Sequence, residues 1–229
     1  PTTIIEGHDG FARAIMQGDY DLSRVVPKRG KFAIRETCIK SIIADFSSHG
    51  HLTATLTLAR EHDLKAEDVV EIRITTSKRC AEHTGDPVKK YPKNKETADH
   101  SSYYLTAIAV IDRQIGPDQF APEKYHDPRV RKLIDKVILQ GDPSLDKARP
   151  AGISEISTKQ GQTYRCRVDY PRGHARNPMT DGEIVEKFKS LASRYMRDKQ
   201  IDQIVDVVFA LDKLEDVGML NRLMVFGSQ

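Results

Sequence analysis

Glu96-Thr97-Ala98-Asp99-His100-Ser101-Ser102-Tyr103-Tyr104 runs without a break into Leu105-Thr106-Ala107-Ile108-Ala109-Val110-Ile111. The second stretch is almost wholly apolar, so a helix over 101–111 has to be buried and calls for a core around it. The first places an acid, an imidazole, two hydroxyls and two phenols at the mouth of that helix, a ledge of groups able to pass protons. A plainer reading stands beside it, in which Asp99 or Ser101 caps the helix and Tyr104 is a core residue with its hydroxyl satisfied. His100 and Tyr104 are the functional candidates of this stretch.

The buried helix implies partners, and the flanking pattern supplies them. Residues 69–76 alternate Val70, Ile72 and Ile74 with Glu71 and Arg73, as a half-buried strand does. Residues 153–158 and 163–170 read as a hairpin joined through Gln160-Gly161. Residues 32–43 carry enough β-branched and apolar side chains for a further strand. Helical spacing predicts helices over 10–16 (stopped by Gly18), 49–62, 128–138, 181–197 and 201–211, with a last segment over 217–225. Thr180 and Glu183 form a capping box for the helix from 181. Residues 78–95, rich in lysine and holding Pro87 and Pro92, read as a loop. The fold class is α+β, a small sheet covered by helices with a C-terminal helical segment. The organisation expected is residues 1–30 as a linker or the end of a preceding domain, 31–178 as the α+β site domain, and 179–229 as helices packing on it.

At 229 residues, 38% hydrophobic and 30% charged, the chain is long enough to bury a sizeable core. No stretch approaches the roughly 18 apolar residues of a membrane span, and no signal peptide is visible. A formal charge of +3 is too small to imply nucleic acid. The basic run Lys78, Arg79, Lys89, Lys90, Lys93 and Lys95 has only Tyr91 as an aromatic, which poorly supports stacking on bases. It reads as a solvated loop that raises the local potential for anionic substrates. Cys38, Cys80 and Cys166 are odd in number and far apart, and read as thiols of a reducing, cytoplasmic compartment. No phosphate loop, HExxH or nucleophile elbow is present. The histidines and acids lack metal-ligand spacing, so a site without metal or cofactor is expected.

Two further constellations carry polar chemistry. In Lys40-Ser41-Ile42-Ile43-Ala44-Asp45-Phe46-Ser47-Ser48-His49, a lysine, an acid and an imidazole precede a helix. Lys40 can hold a carboxylate, and Asp45 or His49 can exchange a proton. In Tyr170-Pro171-Arg172-Gly173-His174-Ala175-Arg176-Asn177-Pro178-Met179-Thr180-Asp181, the residues Arg172, His174 and Arg176 can rim an anion site. Gly173, Pro178 and Thr180 read equally as a turn and a helix cap, and this reading is preferred. His51 reads as an exposed helix residue.

These segments resemble the MmgE/PrpD family, whose members include 2-methylcitrate dehydratase and cis-aconitate decarboxylase. Residues 96–104 are similar to a family signature of the type ETADHSLPY, and residues 170–181 to YPKGHPKNPMTD. Lys40, His49 and Ala54 match family positions. Asp45 stands where the family usually has Cys or His, Thr53 where it has Asp, and Tyr103 where it has Pro or Gln. Gly7, Gly10 and Phe11 fit a segment that closes the family's helical first domain, so the chain corresponds to the family's C-terminal half. A processed fragment, a split subunit or an incomplete chain all fit a start at Pro1.

The resemblance implies a cofactor-independent lyase that dehydrates a 2-hydroxy polycarboxylate such as 2-methylcitrate. With it, Lys40 is the candidate for binding carboxylate, and His49, His100 and Tyr104 are those for proton transfer or for holding the leaving hydroxyl. Asp45, read from its own segment as a proton exchanger, and His174 and Arg176, read as an anion rim, complete the candidate set. The resemblance also implies a homodimer and further catalytic groups from a helical half that lies outside this chain, leaving the site here incomplete. Decarboxylation, isomerisation or epimerisation of a di- or tricarboxylate is the alternative that Asp45 keeps open. A non-catalytic assembly or regulatory half is the other.

Overall fold

The strand β1 (Val69–Ser77) is central to a four-stranded sheet of order β2-β1-β3-β4. Its neighbours are β2 (Val137–Asp142), which runs parallel, and β3 (Gly152–Thr158), which is antiparallel and continues into β4 (Thr163–Val168). Ile72 is paired with Val137 on one side and with Ile156 on the other. The computed structural model describes residues 4, 5, 7, 10–16, 32–147 and 150–225. The chain divides into residues 1–37 and 38–229, and the sheet and the C-terminal helices share the second unit. In the first, a π-helical turn spans Ala12–Met16 and a 3-10 turn spans Ala33–Glu36, while Gly18 lies outside the described residues.

The expected α+β class holds. Helix α1 (His49–Glu61) lies on β3 and β4; after α2 (Lys78–Thr84) and α3 (Lys95–Asp99), α4 (Ser102–Ile111) packs against α1 and β2. Then α5 (Pro122–His126) and α6 (Pro128–Ile134) lead into β2, with α6 also against α4. Leu52, Leu105 and Ile108 from the helices and Ile72, Ile74 and Ile156 from the sheet are fully buried together. Each such side chain is worth about 1.5–3 kcal/mol relative to exposure. Glu71 and Arg73 point to the other, wetter face and pair at 2.7 Å. Helix α4 is capped by Ser101, whose hydroxyl accepts the Tyr104 N–H at 3.2 Å. The hairpin turns at Gly161 as expected.

Three expectations fail for identifiable reasons. Residues 32–43 form no strand: Ile39 N–H donates to the Gly173 carbonyl at 2.8 Å, a bond to a loop and not to a ladder. β-branched content favours extended backbone, but a strand needs a neighbouring strand. Residues 78–95 are not all loop. Ser77 accepts the Cys80 N–H at 3.2 Å and starts α2, whose Cys80 and Thr84 are buried one turn apart, and both prolines fall beyond that helix. The helix expected over 128–138 stops at Ile134, and Val137-Ile138-Leu139 opens β2, a short apolar run that period alone cannot distinguish from a helix.

At the C-terminal end the Thr180–Glu183 capping box is present and starts α7 (Asp181–Ala192), with α8 (Asp198–Phe209) and α9 (Gly218–Leu223) following. Ile184, Val185, Phe188, Ile204, Val205, Val208 and Phe209 line an apolar groove on α7 and α8.

The first turn of α1 touches the start of β3 backbone to backbone. A Cβ on Gly50 would meet the Pro150 carbonyl at 2.0 Å, and one on Gly152 would meet the His51 nitrogen at 2.4 Å. Because the obstruction is main chain on both sides, neither can move aside cheaply. Gly152→Ala is expected to destabilise the fold by about 1–3 kcal/mol, read as a lowered denaturation midpoint; an unchanged midpoint contradicts the close approach.

Candidate functional site

The segment 40–49 leads into α1, with Lys40 at its start and Asp45 in the turn before the helix. Asp45 is the cap of a 3-10 turn over Phe46–Ser48: its Oδ1 accepts the Ser47 N–H at 2.9 Å and also the Ser47 hydroxyl. Its own N–H donates to the Asp99 carbonyl at 3.0 Å, which ties the segment to the end of α3. A carboxylate oxygen of Asp45 and one ring nitrogen each of His83 and His100 lie within 4.8 Å of one another. His83 projects from the exposed side of α2, and its ring meets that of His100 edge-on at 5.8 Å.

His100 is oriented from behind. Its Nδ1 lies 2.5 Å from Asp99 Oδ1 and 3.1 Å from the Glu96 carbonyl, while Asp99 Oδ2 takes the Lys95 ammonium at 2.8 Å. Burial opposes ionisation of Asp45, but the Ser47 hydrogen bonds and the nearby His83 and His100 outweigh it and hold the carboxyl below its usual range.

His49 sits between this cluster and a cationic pair. Its ring is fully buried against Phe46, at 5.1 Å between centroids, and neither nitrogen reaches a hydrogen-bonding partner of good geometry. Burial first, then the charge of Lys40, pushes its pKa down to about 4, with backbone at Ala44 and the charge of Asp45 opposing only in part. Lys187, on α7, donates its ammonium to the Lys40 carbonyl. Its pKa is lowered by burial and by the Lys40 charge, so two ammonium groups share this end of the segment. A cleft of about 310 Å³ beside Ser41 and Ile42 is lined also by Thr53, Thr57, Arg60 and Arg172. It borders the lysine end and not the Asp45 cluster.

The remaining candidates lie apart from these groups or are engaged locally. Tyr104 is fully buried and donates its hydroxyl to the Gln119 carbonyl at 2.5 Å, with Tyr125 5.5 Å away. Burial, then the Tyr125 and Asp112 charges, pushes the phenol up, so it stays protonated. His174 Nδ1 accepts the Arg176 N–H at 3.0 Å, and the Arg176 guanidinium lies over the Tyr170 ring at 5.1 Å. Arg172 is held by Glu183 at 2.8 and 3.0 Å. Gly173 takes a φ of +90° where a Cβ would meet the Ile39 carbonyl at 1.9 Å. The 170–181 loop therefore buttresses the backbone beside Lys40.

His51 is a correction: it is fully buried, not exposed. The Gly50–Gly152 approach presses its turn onto β3, and its Nε2 lies 3.1 Å from the Ser102 hydroxyl. Ser102 continues to Thr84 at 2.7 Å and to Ser48 at 3.3 Å, a polar seam between α1, α2 and α4. Burial, then the His49 charge, lowers the pKa of His51 to about 3. Sequence reasoning missed His83, Lys187 and this seam. Reading the Ser77 cap would have placed His83 on a helix.

The profile of the MmgE/PrpD C-terminal domain matches residues 44–211. The chain belongs to the MmgE/PrpD family. Mouse cis-aconitate decarboxylase is 30% identical over 138 residues, covering 59% of this chain and 28% of that protein. A cis-aconitate decarboxylase of Aspergillus terreus is 25% identical over 186 residues, 77% of this chain and 38% of that protein. The mitochondrial 2-methylcitrate dehydratase of Yarrowia lipolytica is 27% identical over 165 residues, 67% and 30%. The chain spans about a third of the length of these relatives. The matched MmgE/PrpD segment includes Asp45, His49, His83, His100 and Lys187, while Lys40 precedes it. Among the described residues no helix is long and apolar enough to cross a membrane.

The two buried imidazoles make this unit sensitive to acid. Both folded pKa values lie below the ordinary 6.5, so between about pH 6.5 and 4 the unfolded chain binds protons that the folded chain refuses. Stability is therefore present above pH 6.5 and falls as pH drops, by up to about 1.4 kcal/mol per pH unit for each histidine. Denaturant midpoints at pH 7 and pH 5 check this, the midpoint at pH 5 being the lower.

Proposed function

We propose that this chain forms the C-terminal part of a lyase acting on a small polycarboxylate. The observation that carries the reading is an aspartate kept ionised between two imidazoles, on the same ten-residue segment that brings a lysine pair together. Lys40 and Lys187 would hold substrate carboxylates as fixed cations. Asp45 would take the proton on the carbon next to a carboxylate, and the electron pair left there would form the new double bond. His100, positioned by Asp99, would protonate the departing hydroxyl, which leaves as water. His49, buried and neutral at neutral pH, would back the segment that joins the two groups. The finer reading is dehydration of a 2-hydroxy polycarboxylate such as 2-methylcitrate, with no metal or cofactor taking part. Further groups would come from the rest of the protein or from a separate helical half, in a homodimer of a reducing, cytoplasmic compartment.

A second reading is decarboxylation, favoured by the relatives that are named cis-aconitate decarboxylases. Here the carbon–carbon bond to a carboxylate breaks, carbon dioxide leaves, and a proton is delivered to the carbon left behind.

Product analysis by proton NMR on a panel of di- and tricarboxylates, with the chain assembled with the remainder of the protein, separates the two. Dehydration creates a double bond and releases water, whereas decarboxylation releases carbon dioxide. Asp45→Asn and Lys40→Ala should each lower turnover by about 10²–10⁴-fold with the fold intact. Unchanged turnover in both variants would remove the site from the chemistry and leave an assembly role for this half.

A further inference from the structure

The cluster of Asp45, His83 and His100 combines features that proton transfer alone does not require. Its donors come from three separate places, the turn before α1, the outer side of α2 and the end of α3, and they converge to within 4.8 Å. Two imidazoles and one carboxylate form a donor set suited to zinc and its neighbours among the divalent transition metals. A tetrahedral ion bound at about 2.0–2.1 Å needs its donors roughly 3.4 Å apart. Because His83 is exposed, a turn of its ring can close that gap without disturbing the core.

The groups behind the donors match as well. Asp99 lies 2.5 Å from His100 Nδ1, and a carboxylate there fixes the ring and leaves Nε2 to an external partner. Ser47 holds one carboxylate oxygen of Asp45, and the Asp45 N–H bond to the Asp99 carbonyl joins the two donor segments through backbone. Two carboxylates, Asp45 and Asp99, lie at the cluster, with the Lys95 ammonium on Asp99 at 2.8 Å and the Lys89 ammonium on the His83 carbonyl at 2.5 Å. The exposed side at His83 gives the ion a way in and leaves coordination positions for water.

We infer that Asp45, His83 and His100 bind one divalent cation of the zinc class per chain. An ion seated there takes the carboxylate and imidazole lone pairs on which the proposed proton transfer depends, so it acts as an inhibitor and not as a cofactor. The inhibition rests on the proposed reaction; the binding does not.

The test titrates the chain with Co²⁺, read by its visible d–d absorption, and with Zn²⁺, read by calorimetry. One saturable site per chain is expected. His83→Ala should weaken it by at least about 10-fold and Asp99→Asn by about 10–100-fold, with circular dichroism showing both folded. His126→Ala, at an exposed histidine elsewhere, should leave binding unchanged. The absence of a saturable site, or binding that survives both substitutions, overturns the inference. Binding that is intact while Zn²⁺ leaves lyase turnover untouched overturns the inhibitory part alone.

Discussion

The contact between the first turn of α1 and the start of β3 is the constraint on which this unit depends. Main chain rests on main chain there, because Gly50 and Gly152 present no Cβ to keep them apart. The helix is thereby drawn down until His49, Gly50, His51 and Leu52 are all removed from water. A buried polar seam follows directly: His51 bonds to Ser102, and Ser102 reaches α2 through Thr84. α2 cannot then sit elsewhere, and its outer side carries His83 to His100. Backbone packing at two glycines thus reaches the candidate site through a chain of hydroxyls and imidazoles.

The site has two electrostatic characters on one short segment. At the Lys40 end, two ammonium groups crowd together and burial depresses one of them. At the Asp45 end, hydrogen bonds and imidazoles sustain a carboxylate despite its burial. His49, buried and without good partners for either nitrogen, feels both ends and is driven to its neutral form. A polyanion with one acidic carbon–hydrogen bond would find both complements in this arrangement, cations for its carboxylates and a base for its proton. Of the basic run, Lys90 is turned to Asp135 at 3.3 Å, while Lys95 on Asp99 and Lys89 on the His83 carbonyl reach the Asp45 end.

Much of the fold was legible because periodicity and caps are local. The strand at Val69, the hairpin at Gly161, the buried helix after Ser101 and the Thr180–Glu183 box are each set by residues a few positions apart. What failed depended on distant partners. Residues 32–43 have strand-like composition and no strand beside them, and Val137 pairs with a strand far back in the chain. The site followed the same division. Asp45 and His100 could be singled out from their own segments, whereas their meeting with His83 depends on three elements converging. Tyr104 looked chemical because of the motif around it, yet it lies within a core that accepts its hydroxyl at Gln119.

The mixed sheet also governs how this chain must assemble in time. β1 precedes both of its neighbours, the parallel one beginning at Val137 and the antiparallel one at Gly152. Until both arrive, Ile72 and Ile74 have no ladder on either side, and the strand is an unpaired apolar edge. Closing two such loops costs entropy before any pairing rewards it, so topology makes this unit a slow folder relative to a helical bundle of equal size. Only the β3–β4 hairpin is local enough to form ahead of the rest, and it offers β1 its first template. A chain emerging from the ribosome therefore carries β1 unpaired until β2 and then β3 have been made, the interval in which chaperones matter most.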